Sequence, residues 1–113
     1  MATPEELKNQ LTKWVKKFEN PELAAEFKGF NKTMQFTFPD IDYKIKMIIK
    51  NKSARLEEGF DDNAAMGLEV NSDLFLGILT DEIDPMEAFM EGELKVKSDM
   101  NALQKLEFLM DND

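Results

Sequence analysis

The sequence predicts an α+β domain in which helices cover one face of a five-stranded, mostly antiparallel sheet. Apolar residues keep helical spacing at both ends of the chain, and they alternate with polar residues in the middle. An apolar helical segment before the last alternating run predicts a helical crossover into the final strand. The chain of 113 residues suits one domain spanning residues 1–113.

The N-terminal residues are predicted to form helices. Thr3-Pro4-Glu5-Glu6 is a capping box with proline at the first helical position, and apolar residues within 7–18 keep helical spacing. A second, short helix restarts at Asn20-Pro21 and ends before Gly29. We expect both helices to lie over the sheet.

Four strands are predicted next, and we expect them to form an antiparallel meander. The first two flank the turn at Pro39-Asp40-Ile41-Asp42, and the third follows the turn at Asn51-Lys52. The alternating runs are residues 34–38, 43–50, 54–58 and 64–70. One face of the sheet should therefore be apolar, and the other should display Thr, Lys and Glu side chains.

The helical crossover begins after the fourth strand, where Ser72 is expected to cap the first helix. The apolar residues that follow cover well over half of the helix circumference; they are Leu74, Phe75, Leu76, Ile78 and Leu79. A helix packed only on a sheet needs one apolar face. The remaining apolar surface requires a second neighbour, which is another helix, another subunit or an apolar ligand.

A second crossover helix is predicted from Asp84-Pro85, with aspartate as the cap and proline at the first helical position. Met86, Phe89 and Met90 share one face of this helix, and Gly92 ends it. Residues 94–97 form the fifth strand. Asp99 is expected to cap the last helix, whose predicted inner face comprises Met100, Leu103, Leu106, Leu109 and Met110.

Composition excludes several classes of function. The formal net charge of −9 argues against nucleic-acid binding and weakens attraction to anionic membranes, so any membrane contact should be transient. The chain contains neither Cys nor His, and its carboxylates cluster in expected solvated turns. We therefore expect no catalytic residue, metal or cofactor, and a cytoplasmic protein without a membrane span.

Side chains on the polar face of the sheet allow two interpretations. Alternating lysines could gather there and meet a phosphate head group or a partner's acidic surface, or they could simply keep a wet sheet face soluble. These lysines are Lys44, Lys46, Lys50, Lys95 and Lys97.

The crossover and the last helix resemble the sterol carrier protein type-two, or non-specific lipid-transfer, domain family. The resemblance is carried by Ser72-Asp73 with Phe75, by the run from Asp84-Pro85-Met86-Glu87-Ala88-Phe89-Met90 to Glu91-Gly92-Glu93-Leu94-Lys95-Val96, and by Asp99-Met100 with Leu103, Lys105 and Leu106. It implies an apolar tunnel between the sheet and the helices that binds fatty acids, fatty acyl-CoA, sterols or phospholipids without catalysis. It also implies that Gln104 is a polar contact at the tunnel end.

We therefore predict a non-catalytic carrier or reservoir for a small apolar lipid, including an isoprenoid-like one. The predicted lipid-binding residues are Phe36, Met66, Phe75, Leu76, Leu79, Met86, Phe89, Met90, Leu103, Gln104 and Phe108. The alternative is a protein-interaction or homodimerisation module, in which the same apolar helices contact a partner and the core is filled.

Overall fold

The computed structural model describes residues 2–80, 82–98 and 100–111, and it confirms the α+β prediction. Within these residues the helices are α1 (Pro4–Lys17), α2 (Pro21–Ala25), α3 (Ser72–Leu79), α4 (Pro85–Met90) and α5 (Met100–Asp111). The strands are β1 (Thr33–Phe38), β2 (Tyr43–Lys50), β3 (Ser53–Glu58), β4 (Met66–Val70) and β5 (Leu94–Ser98). A 3₁₀ turn, Pro39–Ile41, joins β1 to β2.

The strand order of the sheet is β3-β2-β1-β4-β5, with β1 and β4 parallel and the other pairs antiparallel. The predicted meander is therefore correct for β1 to β3 and wrong for β4, which also begins at Met66 rather than at residue 64. The loop after β3 carries the chain past β1, where the Ala65 N–H donates to the Thr33 carbonyl at 3.0 Å. Alternation in the sequence specifies which face a residue takes but not which strand lies beside it.

The core lies between the inner face of the sheet and the helices. Phe75 of α3 has its ring centroid 5.3 Å from that of Phe38, 5.7 Å from that of Phe36 and 6.2 Å from that of Trp14. The rings meet edge-on or tilted, the geometry that aromatic pairs prefer. Phe75 thus joins α1, β1 and α3 in one buried cluster.

Most helix caps follow the prediction, since Thr3 forms the capping box and Asn20 and Asp84 cap α2 and α4. The cap of α3 differs from the prediction. Asn71 is the cap, because its Oδ1 accepts the Asp73 N–H at 2.9 Å, and Ser72 is instead the first helical residue. The predicted cap of α5, Asp99, lies outside the described residues.

Ser72 is fully buried and bonds to the 3₁₀ turn. Its N–H donates to Asp40 Oδ1 at 2.9 Å, and its hydroxyl donates to Asp40 Oδ2 at 2.5 Å. Burial raises the pKa of Asp40, but hydrogen bonds, chiefly the two from Ser72, together with the positive N-terminus lower it by more, so the pKa lies below its ordinary value. The ionised carboxylate therefore ties the β1–β2 connection to the start of α3.

We expect Asp40→Asn to lower the free energy of unfolding by about 1–2 kcal/mol at neutral pH, since it removes charge-assisted hydrogen bonds to a buried serine. The pKa of Asp40 is lower in the folded state than its unfolded value near 3.9. The ionised carboxylate therefore stabilises the fold at pH values above the unfolded pKa, and this stabilisation is lost as pH falls through the folded pKa. Urea unfolding at pH 7 and near pH 3 should therefore show that wild type and Asp40→Asn differ less in free energy of unfolding at the acid pH. The exposed control Asp62→Asn should show little at either pH. If Asp40→Asn lowered the free energy of unfolding equally at both pH values, the lowered pKa of Asp40 would be contradicted.

Candidate functional site

The candidate site is built around α3, whose wide apolar arc is partly covered by the chain itself. Phe75 and Ile78 are buried, while Leu74, Leu76 and Leu79 are half-buried. Trp14 of α1 contacts the Phe75 ring. The second neighbour that the sequence required is therefore, in part, the N-terminal helix.

Gly77 provides a notch on α3 that Ile83 fills. A Cβ built on Gly77 would lie 2.4 Å from Ile83 Cδ1, too close for any real contact. The N–H groups of Glu82 and Ile83 both donate to the Gly77 carbonyl, at 2.9 and 3.1 Å. The missing side chain of Gly77 thus lets the connection between α3 and α4 pack tightly on α3.

The predicted lipid-binding residues fall into three groups in the structure. Phe36, Met66 and Phe75 are buried in the core. Leu76, Leu79 and Phe108 are half-buried around it, and the backbone of Leu103 lies in α5. Gln104 and three side chains of α4 are exposed. The structure thus packs Leu76, Leu79 and Phe108 against the core, while the α4 members and the predicted polar contact, Gln104, lie at the surface.

The apolar face of α4 points outward. Met86, Phe89 and Met90 are 60%, 52% and 78% exposed, whereas Ala88 is buried against the core. The helical spacing correctly placed the three large side chains on one face, but it did not show that the small alanine faces inward. Met100, predicted on the inner face of α5, is likewise exposed, so that expectation was wrong.

The C-terminal helix packs on the segment around α2. The Phe108 ring lies 6.1 Å from that of Phe27, and Lys17 Nζ donates to the Leu109 carbonyl at 2.6 Å. Lys105 Nζ donates to the Glu26 carbonyl and lies 5.5 Å from the Phe27 ring centroid. Sequence analysis missed Phe27 as a contact of this helix, because a helix-to-helix contact across the length of the chain leaves no local pattern.

The surroundings of α4 are acidic. Exposed carboxylates lie before, within and after the helix; they are Glu82, Asp84, Glu87, Glu91 and Glu93. A hydrogen bond with Glu93, together with its negative charge, raises the pKa of Glu91. Among the described residues, no group of His, Cys, Asp and Glu side chains is arranged to hold a metal ion. In the same part of the chain, no helix is long and apolar enough to cross a membrane.

A profile of the SCP-2 sterol transfer family matches residues 10–111. The chain belongs to this family. The SCP-2 fold is in general a non-catalytic, lipid-binding one, which agrees with the apolar core and the apolar surface of α4. No curated protein matches the chain significantly.

Solved structures share the SCP-2 fold at low sequence identity. The sterol carrier protein domain 2 of Helicoverpa armigera has a TM-score of 0.71 at 14% identity, covering 96% of this chain and 90% of that one. UbiJ-SCP2, a ubiquinone synthesis protein, has a TM-score of 0.70 at 12% identity, covering 98% and 93%. At such identities the likeness shows the fold alone.

The fold also occurs within a larger enzyme. The sec-alkylsulfatase Pisa1 from Pseudomonas sp. has a TM-score of 0.64 at 18% identity over 77% of this chain, which spans only 13% of the sulfatase. The likeness is therefore confined to an SCP-2-like part of that protein.

Proposed function

We propose that this chain binds an apolar lipid between α3, α4 and the inner face of the sheet, and that it carries or sequesters the lipid without catalysis. The observation that carries this proposal is α4, which exposes Met86, Phe89 and Met90 and buries the small Ala88. A short helix anchored in this way can move away from the sheet at a modest cost in buried area. A lipid tail can then enter between the helix and the sheet.

Burial of apolar surface alone would hold the lipid. Each methylene removed from water contributes about 0.8 kcal/mol, so a long alkyl or isoprenoid chain needs no charged partner in the protein. A ligand entering under α4 meets Leu76 and Leu79, which are half-buried on α3.

Methionines on the inner face of the sheet favour tolerance for ligand shape. Met34, Met47 and Met66 are fully buried on neighbouring strands. Unbranched thioether side chains change rotamer at low cost and fill irregular spaces. We therefore propose that fatty acids, fatty acyl-CoA, sterols and isoprenoid-like lipids are all candidate ligands, and the ubiquinone synthesis protein among the structural neighbours supports testing an isoprenoid.

The acidic residues around α4 argue for brief contact with membranes. Their negative charge opposes attraction to an anionic bilayer, so the exposed apolar side chains must supply the contact. We propose that α4 touches the bilayer surface transiently during lipid uptake or release.

Native mass spectrometry tests the proposed lipid binding. The protein is delipidated and then mixed separately with palmitate, palmitoyl-CoA, cholesterol and a short isoprenoid quinone at micromolar concentrations. We expect one lipid per chain for at least one class. A spectrum that shows only the unliganded mass with all four lipids would contradict the proposal.

The alternative function is an interaction or homodimerisation module. The dense aromatic cluster around Phe75 favours a filled core, and the outward face of α4 offers an apolar contact surface. Sedimentation velocity distinguishes the two proposals. A tight dimer whose sedimentation ignores added lipid supports the alternative, whereas a monomer that retains lipid supports the carrier.

A further inference from the structure

We propose that the open face of the sheet, opposite the helices, holds a second binding site for a small organic anion with a flat ring and a phosphate or carboxylate group. A groove of about 610 Å³ crosses this face from β2 to β5. Its volume lies within the range of about 300–1,000 Å³ typical of small-molecule sites. It is separate from the apolar interior proposed for the lipid.

The groove concentrates positive charge on an acidic protein. Its charged lining residues are Lys44, Lys95 and Lys97 against Asp42 and Glu69, in a chain of formal net charge −9. Glu69 lies opposite Lys95 in the pairing of β4 with β5. Lys97 lies opposite Gly67, so no carboxylate faces it across that pair. An anion is therefore most favoured near Lys97, and Lys95, on the same face of β5, contributes less because Glu69 faces it.

Gly67 forms the floor of the groove. In the sheet register it lies between Gln35 of β1 and Lys97 of β5. A Cβ at Gly67 would meet only Lys97, at an ordinary contact distance of 3.9 Å. The glycine is therefore not required by crowding, and its missing side chain leaves space at the centre of the face.

Phe60 forms a wall of the groove, and a buried glutamine holds its loop in place. Gln35 is 2% exposed; its Nε2 donates to the Gly59 carbonyl at 3.0 Å, and its Oε1 accepts the Asp61 N–H at 2.8 Å. These bonds fix the backbone on both sides of Phe60, whose side chain remains 56% exposed. Lys44 Nζ lies 5.5 Å from the centroid of the same ring.

This arrangement matches a ligand with a flat ring at one end and an anionic group at the other. A flat ring can stack on Phe60 beside Lys44, because aromatic faces bind planar rings without strict sequence or substituent requirements. From β2 to β5 is three strand spacings, about 14 Å, which separates the ring from an anionic group at Lys95 and Lys97. Each lysine ammonium stands on a flexible four-carbon chain and can reach toward the ring, which narrows this backbone separation to the length of a mononucleotide.

A titration followed by ¹⁵N–¹H NMR tests the site with AMP as the probe and with adenosine and inorganic phosphate as separate arms. We expect saturable shifts with AMP at the amides of Phe60, Gly67 and Lys97. Adenosine should shift only the Phe60 side, and phosphate only the β5 side. The absence of saturable shifts with AMP, or shifts confined to α3 and α4, would overturn the proposal.

Matched variants separate a built site from general electrostatics. Lys97→Glu should weaken AMP binding at least tenfold, whereas Lys13→Glu on α1, with the same change of charge, should weaken it less than twofold. Phe60→Leu should weaken AMP binding several-fold and leave phosphate binding unchanged. Equal effects of the two lysine variants would overturn the proposal. Palmitate retention should be the same in all three variants, which keeps this result independent of the proposed lipid binding.

Discussion

Phe75→Ala is expected to lower the free energy of unfolding by about 3–5 kcal/mol, because it leaves a cavity among three aromatic rings. Phe75 is 2% exposed and contacts Trp14, Phe36 and Phe38. These contacts join α3 to both α1 and β1, so the surrounding structure cannot easily collapse into the space. Urea unfolding followed by circular dichroism measures the loss.

Two further variants keep the Phe75 prediction measurable. A small domain has a total stability of about 5–15 kcal/mol, so Phe75→Ala would nearly unfold a domain at the lower end of that range. Phe75→Leu retains most of the volume and should lose less than the alanine variant. Phe60→Ala, at an exposed phenylalanine, should change stability by no more than about 0.5 kcal/mol. Similar losses for Phe75→Ala and Phe60→Ala would contradict the packing described for the core.

The double variant Phe89→Ser/Met90→Ser is expected to slow transfer of a fluorescent fatty acid to neutral vesicles about tenfold, which corresponds to about 1.4 kcal/mol of lost apolar contact. The reason is that both side chains lie on the outward face of α4, where the proposal places contact with the bilayer during lipid uptake and release. Thermal unfolding should change by only a few degrees, because neither side chain is buried in the lipid-free fold.

The chain offers a matched control for the α4 variant. Phe60 and Met100 are the same residue types and are 56% and 71% exposed, away from α4. Phe60→Ser/Met100→Ser should leave transfer nearly unchanged. If both pairs slow transfer equally, general surface hydrophobicity rather than α4 governs contact with the vesicle.

The sequence was sufficient for the elements whose residues interact locally. The alternation of Met34, Phe36 and Phe38 identified the inner face of β1, and Asp84 before Pro85 identified the start of α4. Both signals depend on neighbours within one turn or one strand. They therefore do not depend on contacts with the rest of the fold.

Features that depend on distant residues could not be predicted from these patterns. Nothing near Met66 shows that β4 lies beside β1, since β1 and β4 are about thirty residues apart in the chain and pair in parallel. The choice of Asn71 over Ser72 as the cap of α3 depends on Asp40, which occupies the Ser72 hydroxyl. The outward face of α4 depends on Ala88, the residue small enough to pack inward.

The apolar arc of α3 could be predicted in part from local sequence, but the identity of its neighbours depends on distant residues. Its width correctly required a neighbour beyond the sheet, and the structure supplies Trp14 and Ile83 as parts of it. Gly77 lies in the middle of the arc, and only the fold shows that Ile83 fills the space beside it. The half-buried Leu76 and Leu79 are the part of the arc that the proposed lipid would cover.

Fluorescence of Trp14, the single tryptophan of the chain, tests the proposed lipid position most directly. Its ring centroid lies 6.1 Å from that of Phe36 and 6.2 Å from that of Phe75, between α1 and the sheet. Spin-labelled stearic acid should quench the emission saturably, with an end point at one lipid per chain, and unlabelled palmitate should reverse the quenching. Emission that stays constant while native mass spectrometry shows the lipid bound would contradict a site between the helices and the inner face of the sheet.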